Sequence, residues 1–451
     1  MMLIKKALVF ISLFMLSTTG AVADLQRTTF KNGVSLIVEE DHSAPVAMVQ
    51  IWLKVGGRDE LPGKTGLAHV FEHMMFKGSK KLQPGEYSKI ISAMGGNDNA
   101  FTSTDYTAYF ETVPAKEVTK VLTMEAERFA NLKLKAEDFA SEIKVIMEER
   151  RMRTEDNPNS RMFEELSAAS LRLHPYRNPV IGWMQDLEAL TIEDVKAFYQ
   201  KHYVPGNVTV VVVGDVEFKA MEKVVKQTFA KLKKREVEPR FNPSEPAPLG
   251  PKRVEVHLPA QLPMMAFTMP VPSWKPYEND QEVAALAVAT EMMSGGKSAV
   301  MNQVLVNEQR TAVSAGSGYD PFTMGLDLWY AYGSIGIGQS AEKFEKAFWK
   351  LMKNMGETLP DQRKFDAAKR RLIASSVFAQ DSLYLRAKHI GILETVGIGA
   401  DEKDRWLDLV RAVKSEQVRD AIKTWIRPNR TTTGLLLPES ASALELPRSE
   451  L

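Results

Sequence analysis

Five prolines fall within residues 235–253, "REVEPRFNPSEPAPLGPKR": Pro239, Pro243, Pro246, Pro248 and Pro251. Proline locks φ and removes a backbone donor, so this stretch suits neither a helix nor the interior of a sheet. It reads as a stiff linker. At about 100–200 residues per domain, a chain of this length holds two or three domains. The prolines therefore divide it into two halves of similar size.

Each half opens with strand-like alternation. In the first, VSLIVEED and VAMVQIWLKVGG read as a β pair introduced by the turn Lys31-Asn32-Gly33; in the second, RVEVHL and MMAFTMPV do the same. Helical periodicity follows over 64–78, 85–94, 115–131 and 136–153, and over 278–293 and 297–308. The first half returns to strand in NVTVVVVGDV, residues 207–216. The expected fold class is α+β: two homologous units, each an antiparallel sheet packed with helices, spanning 24–235 and 253–451 and joined by a proline-rich linker at 236–252.

The first residues read as an address. Lys5 and Lys6 precede an apolar core from Ala7 to Leu16, and Ala21-Val22-Ala23 follows. Basic, apolar and A-x-A parts in that order make residues 1–23 a secretory signal peptide cut after Ala23. The core is short of the roughly 20 apolar residues that a spanning helix needs. An uncleaved anchor is the alternative. The expected location is a bacterial periplasm.

Composition narrows the chemistry. The formal net charge is +1 and no basic run is longer than Lys233-Lys234-Arg235, so no nucleic-acid footprint is present. Cysteine is absent, which excludes disulfides, thiolate metal sites and cysteine nucleophiles. Any metal must be held by imidazole and carboxylate.

His69-Val70-Phe71-Glu72-His73 meets that condition. On a helix, i and i+4 side chains sit one above the other, about 5–6 Å apart at Cβ, so both imidazoles reach one ion. Val70, Phe71, Met74 and Met75 fall on the other side, leaving the histidine face toward something polar. Glu72 lies beside the ion, placed to move a proton. H-x-x-E-H is the reversed order of the H-E-x-x-H zinc motif. The alternative is a solvated face carrying two incidental histidines. A third ligand is to be sought in "EDFASEIKVIMEERRMR", where Glu142 and Glu149 share one helix face and Glu148 is turned away. Spacing alone equally allows these glutamates to be partners of Arg150, Arg151 and Arg153.

With Glu149 set in "SEIKVIMEERRMR", the pattern resembles the pitrilysin/insulinase family of inverzincin zinc peptidases, in its short-chain branch with the mitochondrial processing peptidase. "GLAHVFEHMMFKGS", "GGNDNAFTSTDYTAYF", "HPYRNPVIG" and "FYQKHYVPGNVTVVVVGDV" extend the resemblance along the first half. It implies an exported metalloendopeptidase that cleaves peptides or unfolded polypeptides with one Zn2+ per chain. His69, His73 and Glu149 would be the ligands and Glu72 the general base, with Glu142 a supporting acid. Asn99, Ala100 and Phe101 would form the edge strand on which a substrate pairs as an added strand.

One departure stands out. Many members carry an arginine and a tyrosine seven apart in the second half, to hold the substrate carbonyl. Here those positions are Val306 and Val313; Arg310 and Tyr319 are nine apart. The resemblance then implies a heterodimer whose companion supplies the Arg/Tyr pair, a homodimer being the rival. A non-catalytic scaffold or peptide-binding subunit is the competing class. Two other signals are set aside. The "GGKS" at 295–298 has Glu291 where a phosphate-binding loop needs glycine, and His174 has no partner at helical spacing and reads as a loop residue.

Overall fold

The computed structural model describes residues 25–336 and 338–439, so the signal-peptide segment lies outside the described residues. The first unit runs β1 (Gln26–Thr29), β2 (Ser35–Glu40), β3 (Val46–Leu53), α1 (Leu67–Met74), α2 (Glu86–Ala93), β4 (Asn97–Thr102), β5 (Thr107–Pro114), α3 (Val118–Asn131), α4 (Ala136–Arg150), α5 (Pro158–Ser170), α6 (Met184–Ala189), α7 (Ile192–His202), β6 (Val208–Gly214) and α8 (Phe218–Gln227). The second runs β7 (Lys252–Leu258), β8 (Met264–Pro272), α9 (Asp280–Ser294), β9 (Ala312–Gly318), β10 (Leu326–Ile335), α10 (Ala341–Glu357), α11 (Gln362–Ala379), α12 (Leu383–Thr395), α13 (Lys403–Ala412), α14 (Ser415–Trp425) and β11 (Thr432–Pro438).

The two sheets share one plan. Their orders are β1-β2-β6-β3-β5-β4 and β7-β11-β8-β10-β9, so the last strand of each unit is inserted between its first two long strands. The pairings are antiparallel except β2 with β6 and β7 with β11, which are parallel. This corrects the sequence reading in one respect: VSLIVEED and VAMVQIWLKVGG are not neighbours, nor are RVEVHL and MMAFTMPV. The turn at 31–33 instead joins β1 to β2. The reason is visible in β6, VTVVVVG, which is buried at every position. A strand apolar on both faces belongs in the middle of a sheet that is covered on both sides.

That double cover comes from the opposite unit. Val49, Ile51 and Leu53 of β3 pack with α1, α3 and α7, whereas Met48 and Trp52 meet Ala387 and Ile390 of α12. Reciprocally, Met162 and Leu166 of α5 pack on Met264, Ala266 and Leu436 of the second sheet. A Cβ on Gly391 would lie 1.9 Å from the Trp52 indole, so α12 can approach this closely only with glycine there.

Residues 232–251 contain neither helix nor strand but are held in place. The fully buried Arg58 guanidinium pairs with Asp105 at 3.1 Å. It also donates to the carbonyls of Phe241 (2.8 Å) and Met324 (2.7 Å) and to Asn242 Oδ1 (2.9 Å). One side chain thus joins first unit, linker and second unit.

On α12, His389 stands edge-on to Phe322 at 5.4 Å. Burial, helped by Lys403 and opposed by Asp404, pushes its pKa from 6.5 down to about 4. The unfolded chain therefore binds the extra proton between those values, and the contribution of His389 to stability is lost as pH falls from about 6.5 toward 4. The acid-side drop in melting temperature is expected to be shallower in His389→Gln than in wild type. Equal slopes would show that the imidazole titrates as in the unfolded chain.

Candidate metal centre

α1 begins abruptly because its first N–H groups are satisfied from outside the helix. Glu60 accepts from Gly66 N at 2.8 Å and Ala68 N at 2.7 Å, placing a carboxylate at the positive end of the helix. Gly66 takes φ +84° and abuts Gly182, where a side chain on either residue would collide with backbone. Ala68, Val70, Phe71 and Met74 are fully buried and orient the helix. His69, Glu72 and His73 are thereby directed toward α4.

Glu149, in the last turn of α4, meets both histidines. Its Oε2 lies 3.8 Å from His69 Nε2 and 3.5 Å from His73 Nε2, and the three candidate ligand atoms lie within 4.8 Å of one another. Bonds of about 2.0–2.1 Å to a tetrahedral zinc place ligand atoms about 3.3 Å apart, so these donors surround a space of the right size for an ion. They are too far apart to be a closed set of hydrogen bonds. The donor set fits a divalent cation.

The surroundings prepare the same atoms. His73 Nδ1–H donates to Glu142 Oε1 at 2.9 Å, which leaves the Nε2 lone pair free. Burial raises the Glu142 pKa, but the hydrogen bonds from His73 and Lys77 outweigh it and hold the carboxyl below its usual value. Burial, with His73 and Arg153 adding to it, pushes His69 down to about 3, so its ring is neutral near pH 7. Arg153 pairs with the other oxygen of Glu149 at 2.7 Å. One oxygen of that glutamate thus faces arginine and the other faces the histidines. Glu148 is exposed and pairs with Arg151.

Glu72 stands beside this group, its Oε2 accepting from Thr102 Oγ1 at the end of β4. Burial raises its pKa, and the Thr102 hydrogen bond opposes that. β4 is the edge of its sheet. Ala100 N–H donates to Asn99 Oδ1 at 2.8 Å rather than to β5, so the Ala100 backbone faces the open edge. Phe101 points to the opposite face of the sheet, against Trp52 at 5.5 Å with Lys388 over its ring at 5.1 Å. Ala100 lies on the other face, packed against the core that holds α1.

Comparison with known proteins gives this geometry a lineage. The profile of the insulinase family (Peptidase family M16) matches residues 35–183, and that of the peptidase M16 inactive domain matches 189–372. A Helicobacter pylori protein named zinc protease PqqE is 34% identical over 69% of this chain and 71% of its own. The chain belongs to the insulinase family of peptidases. Among solved structures, a protease from Helicobacter pylori superposes with a TM-score of 0.86 at 28% identity, covering 92% of this chain and all of its own. The periplasmic protease PqqL from Escherichia coli shares the fold, with a TM-score of 0.76 at 15% identity; 94% of this chain matches 49% of that one.

In this insulinase-family chain the second-unit residues singled out by sequence include Arg310, Val313 and Tyr319. Arg310 sits exposed at φ +52° in the turn before β9, and Val313 is exposed on β9. The Tyr319 hydroxyl donates to the Pro272 carbonyl at 2.5 Å and is committed there. His174 is buried in its loop, its Nδ1 accepting from Tyr176 N. Sequence reasoning missed Lys77, Thr102 and Glu60. Lys77 is i+4 from His73, a signal that could have been read. Thr102 and Glu60 act through contacts that no helical spacing announces.

Proposed function

We propose that this chain is a zinc-dependent metalloendopeptidase, exported after removal of residues 1–23, that cleaves peptides or unfolded polypeptides. Residues 24–235 would be its catalytic unit, 236–252 its linker and 253–451 a unit that binds no metal. The observation that carries the reading is the convergence of His69 Nε2, His73 Nε2 and Glu149 Oε2, with the Glu72 carboxylate beside them. Two histidines and a carboxylate also accept other divalent ions; the zinc named for relatives favours zinc. Held by His69, His73 and Glu149, a zinc ion would supply a coordinated water of pKa about 7 and a Lewis acid for the substrate carbonyl. Glu72 takes the proton of the attacking water and returns it to the leaving amine. Its buried environment brings its pKa nearer the working pH, as general-base catalysis requires. Glu142 keeps His73 in the ligating tautomer. The open edge at Asn99, Ala100 and Phe101 receives an extended peptide as an added strand, positioning its carbonyl.

The commitment of Tyr319 to Pro272 supports a two-chain enzyme in which a family companion supplies the Arg/Tyr pair. The signal-like segment, together with a periplasmic structural neighbour, supports export to the periplasm. The test is cleavage of a quenched peptide library by the mature chain loaded with zinc, alone and mixed with an Arg/Tyr-bearing paralogue, before and after chelation. Cleavage that needs both the mixture and the metal is the expected result. Cleavage by a homodimer of this chain would discard the companion. An absence of both bound metal and cleavage in every combination would leave the scaffold reading.

A further inference from the structure

We infer that Arg150 is a positioning residue for the metal centre: it sets the spacing between α4 and α1, and through α5 it ties that spacing to the second unit. The inference rests on the reading of His69, His73 and Glu149 as metal ligands.

Arg150 directly follows Glu149, about 100° further round α4, and its side chain leaves the site and is buried, 5% exposed. A buried guanidinium persists where its charge is paired. Here Nη1 and Nη2 form a fork on Glu164 of α5, at 2.9 and 2.8 Å, and Nη1 also donates to the Gly182 carbonyl at 2.7 Å. The guanidinium lies 5.8 Å from the Trp183 ring. Two planar groups paired through two bonds fix orientation as well as distance, which a lysine cannot do.

Each partner leads to a different part of the centre. Gly182 and Trp183 are stitched to the start of α1. Trp183 N donates to Thr65 Oγ1 at 2.9 Å, and a Cβ on Gly182 would lie 2.5 Å from the Thr65 carbonyl and 2.6 Å from Gly66 Cα. That contact has no slack, so the Gly182 carbonyl reports the position of the helix that carries His69 and His73. Glu164 leads the other way. Its helix, α5, buries Met162 and Leu166 against Met264, Ala266 and Leu436 of the second sheet. Arg150 is therefore the point where the ligand helix α4, the first turn of α1 and the second unit meet. A shift of α4 past α1 must break the fork or lose the Gly182 bond.

Metal ligands tolerate errors of only about 0.2 Å, and residues that orient them typically change affinity by about 10–100-fold when lost. The experiment compares wild type, Arg150→Lys, Glu164→Gln and the control Arg151→Lys, an exposed neighbour paired with Glu148. Zinc affinity is read by chelator competition, and ligand geometry by the visible spectrum of the Co2+-substituted protein. Hydrogen exchange of the metal-free protein reads the first turn of α1. Arg150→Lys and Glu164→Gln are expected to bind zinc about 10–100-fold more weakly. They should also shift the Co2+ bands and quicken exchange in α1, which neither residue touches, while Arg151→Lys matches wild type. Should Arg150→Lys fail to fold, Glu164→Gln decides. Folded variants with wild-type affinity and Co2+ spectrum would overturn the inference while leaving the metal reading intact. A wild-type chain that binds no divalent ion would overturn both.

Discussion

Glu72→Gln is expected to lower peptide cleavage by about 100- to 10,000-fold while leaving metal binding within a few-fold of wild type. The separation follows from where the carboxylate sits. Glu72 shares its helix face with His69 and His73, but it accepts from Thr102 and is not among the three residues, His69, His73 and Glu149, whose atoms converge. Glutamine keeps the size of the side chain and an oxygen for Thr102, and loses only the ability to take a proton. The effect should therefore fall on kcat and not on metal content. His69→Ala makes the contrast, since removing one of the three proposed ligands should empty the site. Cleavage at the wild-type rate by metal-loaded Glu72→Gln would remove Glu72 from proton transfer. Loss of metal in that variant would instead make Glu72 a ligand and undo the assignment of Glu149.

Arg58→Met is expected to cost about 3–5 kcal/mol of stability, far more than the 0–1 kcal/mol of an exposed ion pair. Arg58 is fully buried, and its partner Asp105 is 2% exposed. Methionine strands that carboxylate without its counter-charge, leaves the Phe241 carbonyl without its donor and leaves the Met324 carbonyl only the longer Tyr176 hydroxyl contact at 3.3 Å. The double variant Arg58→Met/Asp105→Asn is expected to regain part of the loss, because the orphaned charge is gone and only the bridging bonds are missing. Thermal unfolding monitored separately by circular dichroism and by tryptophan fluorescence checks this. Both probes should move together if the hub joins the two units. A single variant within 1 kcal/mol of wild type would make the hub incidental.

The histidine pair was legible because its geometry is local: i and i+4 on a helix face the same way whatever the helix packs against. The α+β class and the two units also followed from periodicity and turn residues. The third candidate ligand was different. Glu142 and Glu149 share one face of α4, and spacing cannot separate them, since the choice depends on how far along α4 the α1 helix crosses. The crossing brings Glu149 to both Nε2 atoms and Glu142 to the back of His73. Strand neighbours eluded sequence reasoning for the same reason. The unbroken valines of β6 do signal a strand covered on both faces, but they do not say between which strands it lies.

The sequence by itself determined what short periods encode: a linker stiffened by proline, helices with one apolar face, and two imidazoles and a carboxylate presented together. Only the tertiary structure decided which elements meet. It set β6 between β2 and β3, exchanged α5 and α12 between the sheets, and gathered Arg58 and Arg150 at the junctions. Those outcomes depend on the docking of surfaces far apart in the chain, where a close fit such as Gly391 on Trp52 counts for more than any local pattern.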